Sequence, residues 1–376
     1  MKHGPLTRRR MLGLTALGAA GVTAVGAGRG WRAGANSEQS PATPAATPTG
    51  GTDLAAFADE IAHGGPEKDG IPPIDAPKFV AADELDQLLK PQDRIFVLDY
   101  RGERRVYPQQ VLVWHEIVND VVAGDQLSVT YCPLTGSAVA FTGRGPDGAP
   151  LTFGTSGKLV NSNLLMYDRQ TDSQWPQILG RAITGALTGT TLTEIPLVWT
   201  TWERWRSRGV DAPVLSAETG HIRGYGQDPY GSYAGADQGY YQDDGLFFPV
   251  MRRDDRFGPK EIMLGVKVGA ERLAIPKQTA LAKGVWNLEL AGQPIAAVRD
   301  GALETVRVFS RRLSTLTLTF QLAEAGALRD QDGRGWRLAD EVLTGPNGER
   351  LPVVPFYDVM WFAWYAFFPE THVATE

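Results

Sequence analysis

The feature that most constrains how this 376-residue chain can fold is a match of the chain to itself. At an ungapped offset of 168, Glu103-Arg104 meets Glu271-Arg272, Pro108 meets Pro276, Gln110 meets Gln278, Asn119 meets Asn287, Gly124 meets Gly292 and Phe141 meets Phe309. Further on the offset shortens to about 160, where Thr184-Gly185 meets Thr344-Gly345, Trp202 meets Trp361 and Trp205 meets Trp364. Matches kept in order over so long a stretch predict two related structural units. With 43 Gly and 25 Pro the chain is punctuated too often for a helical bundle, and many short strands and turns are expected. The expected architecture is α+β: two pseudo-repeated lobes of mainly short β-strands with a few helices. The first lobe is read over residues 53–215, a Tyr/Gly-rich connector over 216–260, and a second, degenerate lobe over 261–376. Within the first lobe a strand is expected at Ile95–Leu98, a helix from Pro108 through Val118, and a second strand at Leu127–Tyr131.

The amino terminus reads as an export signal over residues 1–35. Thr7-Arg8-Arg9-Arg10-Met11-Leu12 has the twin-arginine pattern, followed by a weakly apolar run to Gly28 and two candidate small-x-small cleavage sites, Ala33-Gly34-Ala35 and its rival Val25-Gly26-Ala27. A Pro/Thr/Ser/Ala-rich stretch, 36–52, is expected to be a disordered linker. The mature protein is therefore expected in the periplasm or outside the cell, with no membrane span after the signal. The net charge of −6 gives no electrostatic reason to bind nucleic acid. Cys132 is the only cysteine, so no internal disulfide can staple the fold.

The duplication also separates structural positions from chemical ones. His115 faces Lys283, Glu116 faces Gly284 and Cys132 faces Asp300, so any chemistry is expected in the first lobe. On the expected helix, His115 shares a face with Val111, Leu112, Val118 and Asn119 and points inward. Cys132 ends a strand and precedes Pro133-Leu134-Thr135-Gly136, where backbone N–H groups or a protonated His could make the reactive thiolate. Gly154-Thr155-Ser156-Gly157-Lys158 is read as a loop able to cradle an anion but lacking the spacing of a phosphate-binding loop. Asp168-Arg169 reads as a loop-ordering ion pair, and Met166 as a core residue or a soft ligand.

Trp114-His115-Glu116-Ile117-Val118-Asn119-Asp120, Tyr131-Cys132-Pro133-Leu134 with Gly136-Ser137-Ala138, Met166-Tyr167-Asp168-Arg169-Gln170-Thr171 and Pro229-Tyr230-Gly231-Ser232-Tyr233 together resemble the exported prokaryotic family catalogued as domain of unknown function 3179. The resemblance spans roughly Ile74 to Thr371. It implies no activity that can be carried over. Some relatives place a second Cys or selenocysteine where this chain has Thr135, so a two-thiol exchange cycle is not expected here.

Three functions remain open from the sequence. The first is a thiol-dependent oxidoreductase with Cys132 as nucleophile, His115 as base or thiolate partner, Glu116 orienting His115 and Thr135 donating a hydrogen bond. It would act with a small molecule or a redox partner in the cell envelope. The second is a soft-metal protein, copper being the expected ion, with Cys132, His115 and Met166 as ligands in binding or electron transfer. The third is a non-catalytic envelope module whose lobe cleft, with the Tyr225–Tyr241 stretch along it, binds a peptide or small molecule.

Overall fold

The computed structural model describes residues 53–234, 239–323, 326–338 and 341–375. The signal expected at 1–35 and the linker expected at 36–52 lie outside the described residues.

Among the described residues strand outweighs helix by 42% to 11%, in seven small sheets, so the α+β expectation gives way to a β-rich fold. The reason is visible at the expected helix 108–118. Only Gln109–Leu112 is helical, because Glu116 adopts φ 61 and Ile117–Val122 is a strand. Val111, Val113, Ile117 and Val118 are β-branched, and such side chains lose rotamer freedom in a helix but pack well on a pleated surface.

The first half contains β1 (Arg94–Tyr100), β2 (Glu103–Pro108), α1 (Gln109–Leu112), β3 (Ile117–Val122), β4 (Asp125–Cys132), β5 (Ser137–Thr142), β6 (Phe153–Val160), β7 (Asn163–Asp168), β8 (Gln174–Pro176), β9 (Thr193–Pro196), β10 (Val198–Thr201), α2 (Trp202–Ser207) and β11 (Val214–Leu215). The second contains β12 (Ile262–Val268), β13 (Glu271–Pro276), α3 (Lys277–Lys283), β14 (Val285–Leu290), β15 (Gln293–Asp300), β16 (Thr305–Ser310), β17 (Phe320–Leu322), β18 (Leu328–Asp330), β19 (Gly335–Leu338), β20 (Phe356–Met360), α4 (Trp361–Phe367) and β21 (His372–Val373). The strand order β10-β1-β2-β11 recurs as β20-β12-β13-β21, with a parallel last pair each time. Likewise β3-β4-β5 recurs as β14-β15-β16, and β6-β7-β8 as β17-β18-β19.

The same side-chain device joins the second and third sheets in each half. Asn119 donates to the Phe153 carbonyl (2.9 Å) and accepts from the Phe153 N–H (3.0 Å). Asn287 does the same to Phe320, at 2.7 and 2.9 Å. Each Phe sits opposite an Asp in the next strand, Asp168 or Asp330, and that carboxylate accepts the indole N–H of Trp175 (3.0 Å) or Trp336 (2.9 Å). Both Trp rings meet their Phe edge-on, at 5.8 and 5.5 Å. A buried amide that replaces a missing ladder bond satisfies donor and acceptor at once.

Two further expectations change. Residues 154–158 are not an anion-cradling loop but part of β6, with a bulge between Thr155 and Lys158. Arg169 pairs with Asp75 (2.8 Å), not Asp168, because the Asp168 oxygens are taken by Thr171 and Trp175.

The halves share their core. Tyr357, Trp361, Phe362, Trp364 and Phe367 of the second half pack in one apolar cluster with Val129, Tyr131, Leu164 and Trp175 of the first. Burying aromatic side chains of this size is the dominant stabilising contribution. Tyr357 donates to the Ile178 carbonyl (2.9 Å), the Met360 N–H to that of Thr135 (2.9 Å), and Lys267 forms an ion pair with Glu194. Among the described residues no helix is long and apolar enough to cross a membrane.

Candidate functional site

His115 follows the single turn of α1 and is fully buried. Its Nδ1 lies 2.7 Å from the Pro72 carbonyl and its Nε2 2.7 Å from the Tyr225 hydroxyl. A carbonyl only accepts, so Nδ1 carries the hydrogen and Nε2 accepts from Tyr225. The Tyr225 oxygen also lies 2.5 Å from the Thr219 hydroxyl, which gives the chain Thr219 to Tyr225 to His115 to Pro72. Burial, with His221 and Arg223 nearby, lowers the imidazole pKa from 6.5 to about 4, against the opposing Pro72 bond. His115 is therefore neutral at physiological pH, with both nitrogens engaged.

Cys132 ends β4 and is also fully buried. Its sulfur accepts the Leu164 N–H at 3.3 Å and lies 4.0 Å from the Ser162 carbonyl. It shares no hydrogen bond with His115. Thr135 is joined to Cys132 through the backbone, its N–H donating to the Cys132 carbonyl at 3.3 Å. The Thr135 hydroxyl instead meets Ser137 (2.8 Å) and the Asn163 amide (3.0 Å), in a buried network completed by Gln177 and Thr130. Met166 is buried in β7, in register with Thr155 and Trp175. Glu116 is buried, and its carbonyl accepts the Tyr131 N–H at 2.8 Å. The sequence-predicted residues thus fall into two separately bonded groups, one around His115 and one around Cys132 and Thr135. Among the described residues no group of three or more His, Cys, Asp or Glu side chains is placed to hold a metal ion.

Two neighbouring openings lie elsewhere, between the halves. A cavity of about 520 Å³ is lined on one side by Asp99, Gly102–Arg105 and Asp211–Pro213 and on the other by Glu341, Val342, Thr344 and Arg350. A second, of about 200 Å³, shares Asp99 and Glu341 with it and is floored by Ile195, Pro196, Val198, Val353, Pro355 and Phe356. They adjoin at Asp99 and Glu341 in a cleft whose larger part is charged and whose smaller part is mostly apolar, with Glu194 and Arg307 also bordering it. Several of its charges are matched within the protein: Arg104 with Asp99 (2.5 Å), Arg105 with Glu103 (3.0 Å).

The chain matches the family described as a protein of unknown function (DUF3179) over residues 68–371. It belongs to that family. No curated protein and no solved structure matches the chain. In this DUF3179 protein the Pro229–Tyr233 stretch is no solvated turn. Tyr230 is buried, and the Tyr233 hydroxyl meets that of Tyr131 at 3.0 Å while its ring stacks on Tyr241 at 3.8 Å. Asp228 anchors the cluster, accepting from Gln109 (2.5 Å), Tyr241 (2.8 Å) and the Tyr230 N–H (2.8 Å). Burial pushes the Asp228 carboxyl from 3.8 up to about 6, its donors pulling the other way. Sequence reasoning passed over Gln109 and Asp228. Their signal was only a polar residue beside a helix-starting Pro and an Asp before a Tyr-rich run, which is also the signature of a turn.

Proposed function

We propose that this DUF3179 protein is a non-catalytic binding module of the cell envelope that holds a small molecule or peptide in the cleft between its halves. The observation that carries the reading is the pair of adjoining cavities lined by both halves, the larger charged and the smaller mostly apolar. Its larger chamber falls in the range of roughly 300–1,000 Å³ expected of small-molecule sites, and sites of that kind favour junctions between structural units. The arrangement around Cys132 and His115 supports this reading over the thiol and copper alternatives. A nucleophilic thiolate needs a base or cation within hydrogen-bond reach, and a metal needs free lone pairs. The twin-arginine pattern at Thr7–Leu12 supports an envelope location.

The test is a thermal-shift screen of small molecules and peptides against the exported protein, repeated on Thr344→Trp and Cys132→Ser. Thr344 is half-buried on the cleft wall, so an indole there fills space without opening the core. Ligands that stabilise wild type and Cys132→Ser but not Thr344→Trp support the reading. Ligand shifts that survive in Thr344→Trp, or vanish in Cys132→Ser, refute it.

A further inference from the structure

We propose that the cleft takes a zwitterion, a free amino acid or short peptide whose ammonium and carboxylate are received by opposite walls and whose apolar side chain enters the smaller chamber. This rests on the cleft reading above and specifies its ligand. Of the charged side chains along the larger chamber, Arg104 and Asp99 are joined to each other and Arg105 to Glu103, while one Glu341 oxygen accepts the Arg101 N–H at 3.1 Å. Two exposed charges have no ion-pair or side-chain hydrogen-bond partner among the described residues: Asp211 on the first-half wall and Arg350 on the second-half wall. They are opposite in sign and belong to different halves, so a ligand in the space between them meets an acceptor of cations on one side and of anions on the other.

The smaller chamber sharpens the choice. It is lined mainly by Ile195, Val198, Val353, Pro355 and Phe356; of its charged neighbours, Glu194 is paired with Lys267, and buried Arg307 faces Asp99 (3.9 Å) and Asp300 (3.3 Å). Apolar surface beside a charged chamber favours a ligand with charge at one end and hydrocarbon at the other. A purely anionic ligand would leave Asp211 opposed to like charge, and a purely cationic one would do the same to Arg350. Arginine suits the carboxylate, since its planar fork can bond both oxygens.

The experiment measures binding of leucyl dipeptides by calorimetry, uncapped, N-acetylated or C-amidated, to wild type, Asp211→Asn, Arg350→Gln and Thr344→Trp. Both charged positions are exposed, so neither substitution removes a buried contact. Each cap is expected to weaken binding to wild type about tenfold, the scale of one charge-assisted hydrogen bond. N-acetylation should make no further difference in Asp211→Asn, nor C-amidation in Arg350→Gln. If capped and uncapped peptides bind wild type alike, or the caps act equally in all variants, the zwitterion assignment is wrong. The cleft reading then stands only where Thr344→Trp still abolishes binding. If uncapped peptides do not bind wild type, the assignment falls, and if no ligand of any class is sensitive to Thr344→Trp, the cleft reading falls as well.

Discussion

The Tyr225 hydroxyl donates to Nε2 of His115 across 2.7 Å, and this bond fastens the segment after β11 to the turn that follows α1. Because the Pro72 carbonyl fixes the tautomer, the buried Nε2 has Tyr225 as its one donor. Tyr225→Phe should therefore lower stability by about 1–3 kcal/mol, the effect of leaving a buried acceptor unmatched. Chemical denaturation of the two proteins at pH 7 measures the difference.

The imidazole also predicts a pH dependence. Its pKa in the folded protein, about 4, lies below the ordinary 6.5, so the neutral form is favoured by folding. The contribution is complete above pH 6.5 and is lost as the pH falls through about 4. Melting temperatures between pH 7 and 4 should fall more steeply for wild type than for His115→Gln. Equal slopes would show that His115 is not held neutral by its surroundings.

Asp228 acts in the opposite sense. With its pKa raised to about 6 from 3.8, the protonated acid is favoured by folding, so its contribution is full below pH 3.8 and lost as the pH rises through about 6. A carboxyl carbon resonance titrating near pH 6 in labelled protein checks the position. Asp228→Ala leaves the Gln109 and Tyr241 donors without this acceptor and should destabilise the protein by about 2 kcal/mol or more.

Cys132 is enclosed, so a thiol reagent should modify it only when the chain unfolds. The rate of labelling with an aromatic disulfide is expected to track unfolding across a denaturant series. Rapid labelling of the native protein would restore an accessible thiol and with it the redox reading.

Asn119 and Asn287 offer a matched comparison. The Asn119 side chain is buried and also bonds Asp75 (2.7 Å) and Ser128 (2.7 Å), whereas the half-buried Asn287 side chain bonds Phe320 alone among the described residues. Replacing either by Ala should destabilise the protein, Asn119→Ala by about 2–4 kcal/mol and Asn287→Ala by about half that. The order of the two denaturation midpoints is the test.

Local chemistry carried some features through to the structure. The paired Asn positions were visible as an identity at offset 168, and their equal jobs against Phe153 and Phe320 follow from one backbone geometry used twice. The tryptophans matched between the two stretches, Trp202 with Trp361 and Trp205 with Trp364, are all buried. The helix 108–118 failed because its apolar spacing suits a helix, while its β-branched residues and the left-handed turn at Glu116 favour a strand once a partner, β4, lies alongside.

The sequence by itself determined family membership, the punctuation of short strands and the absence of any internal disulfide, since these depend on residue types and their order along the chain. Only the tertiary structure decided which polar side chains meet. Cys132 and His115 are near in sequence, yet each found its partners in distant segments, Leu164 for the sulfur and Tyr225 for the ring, because a buried polar atom bonds to whatever packing brings against it. The same holds for the cleft: Asp211 and Arg350 carry no mark in the sequence, and only the packing of the two halves sets them along one cavity.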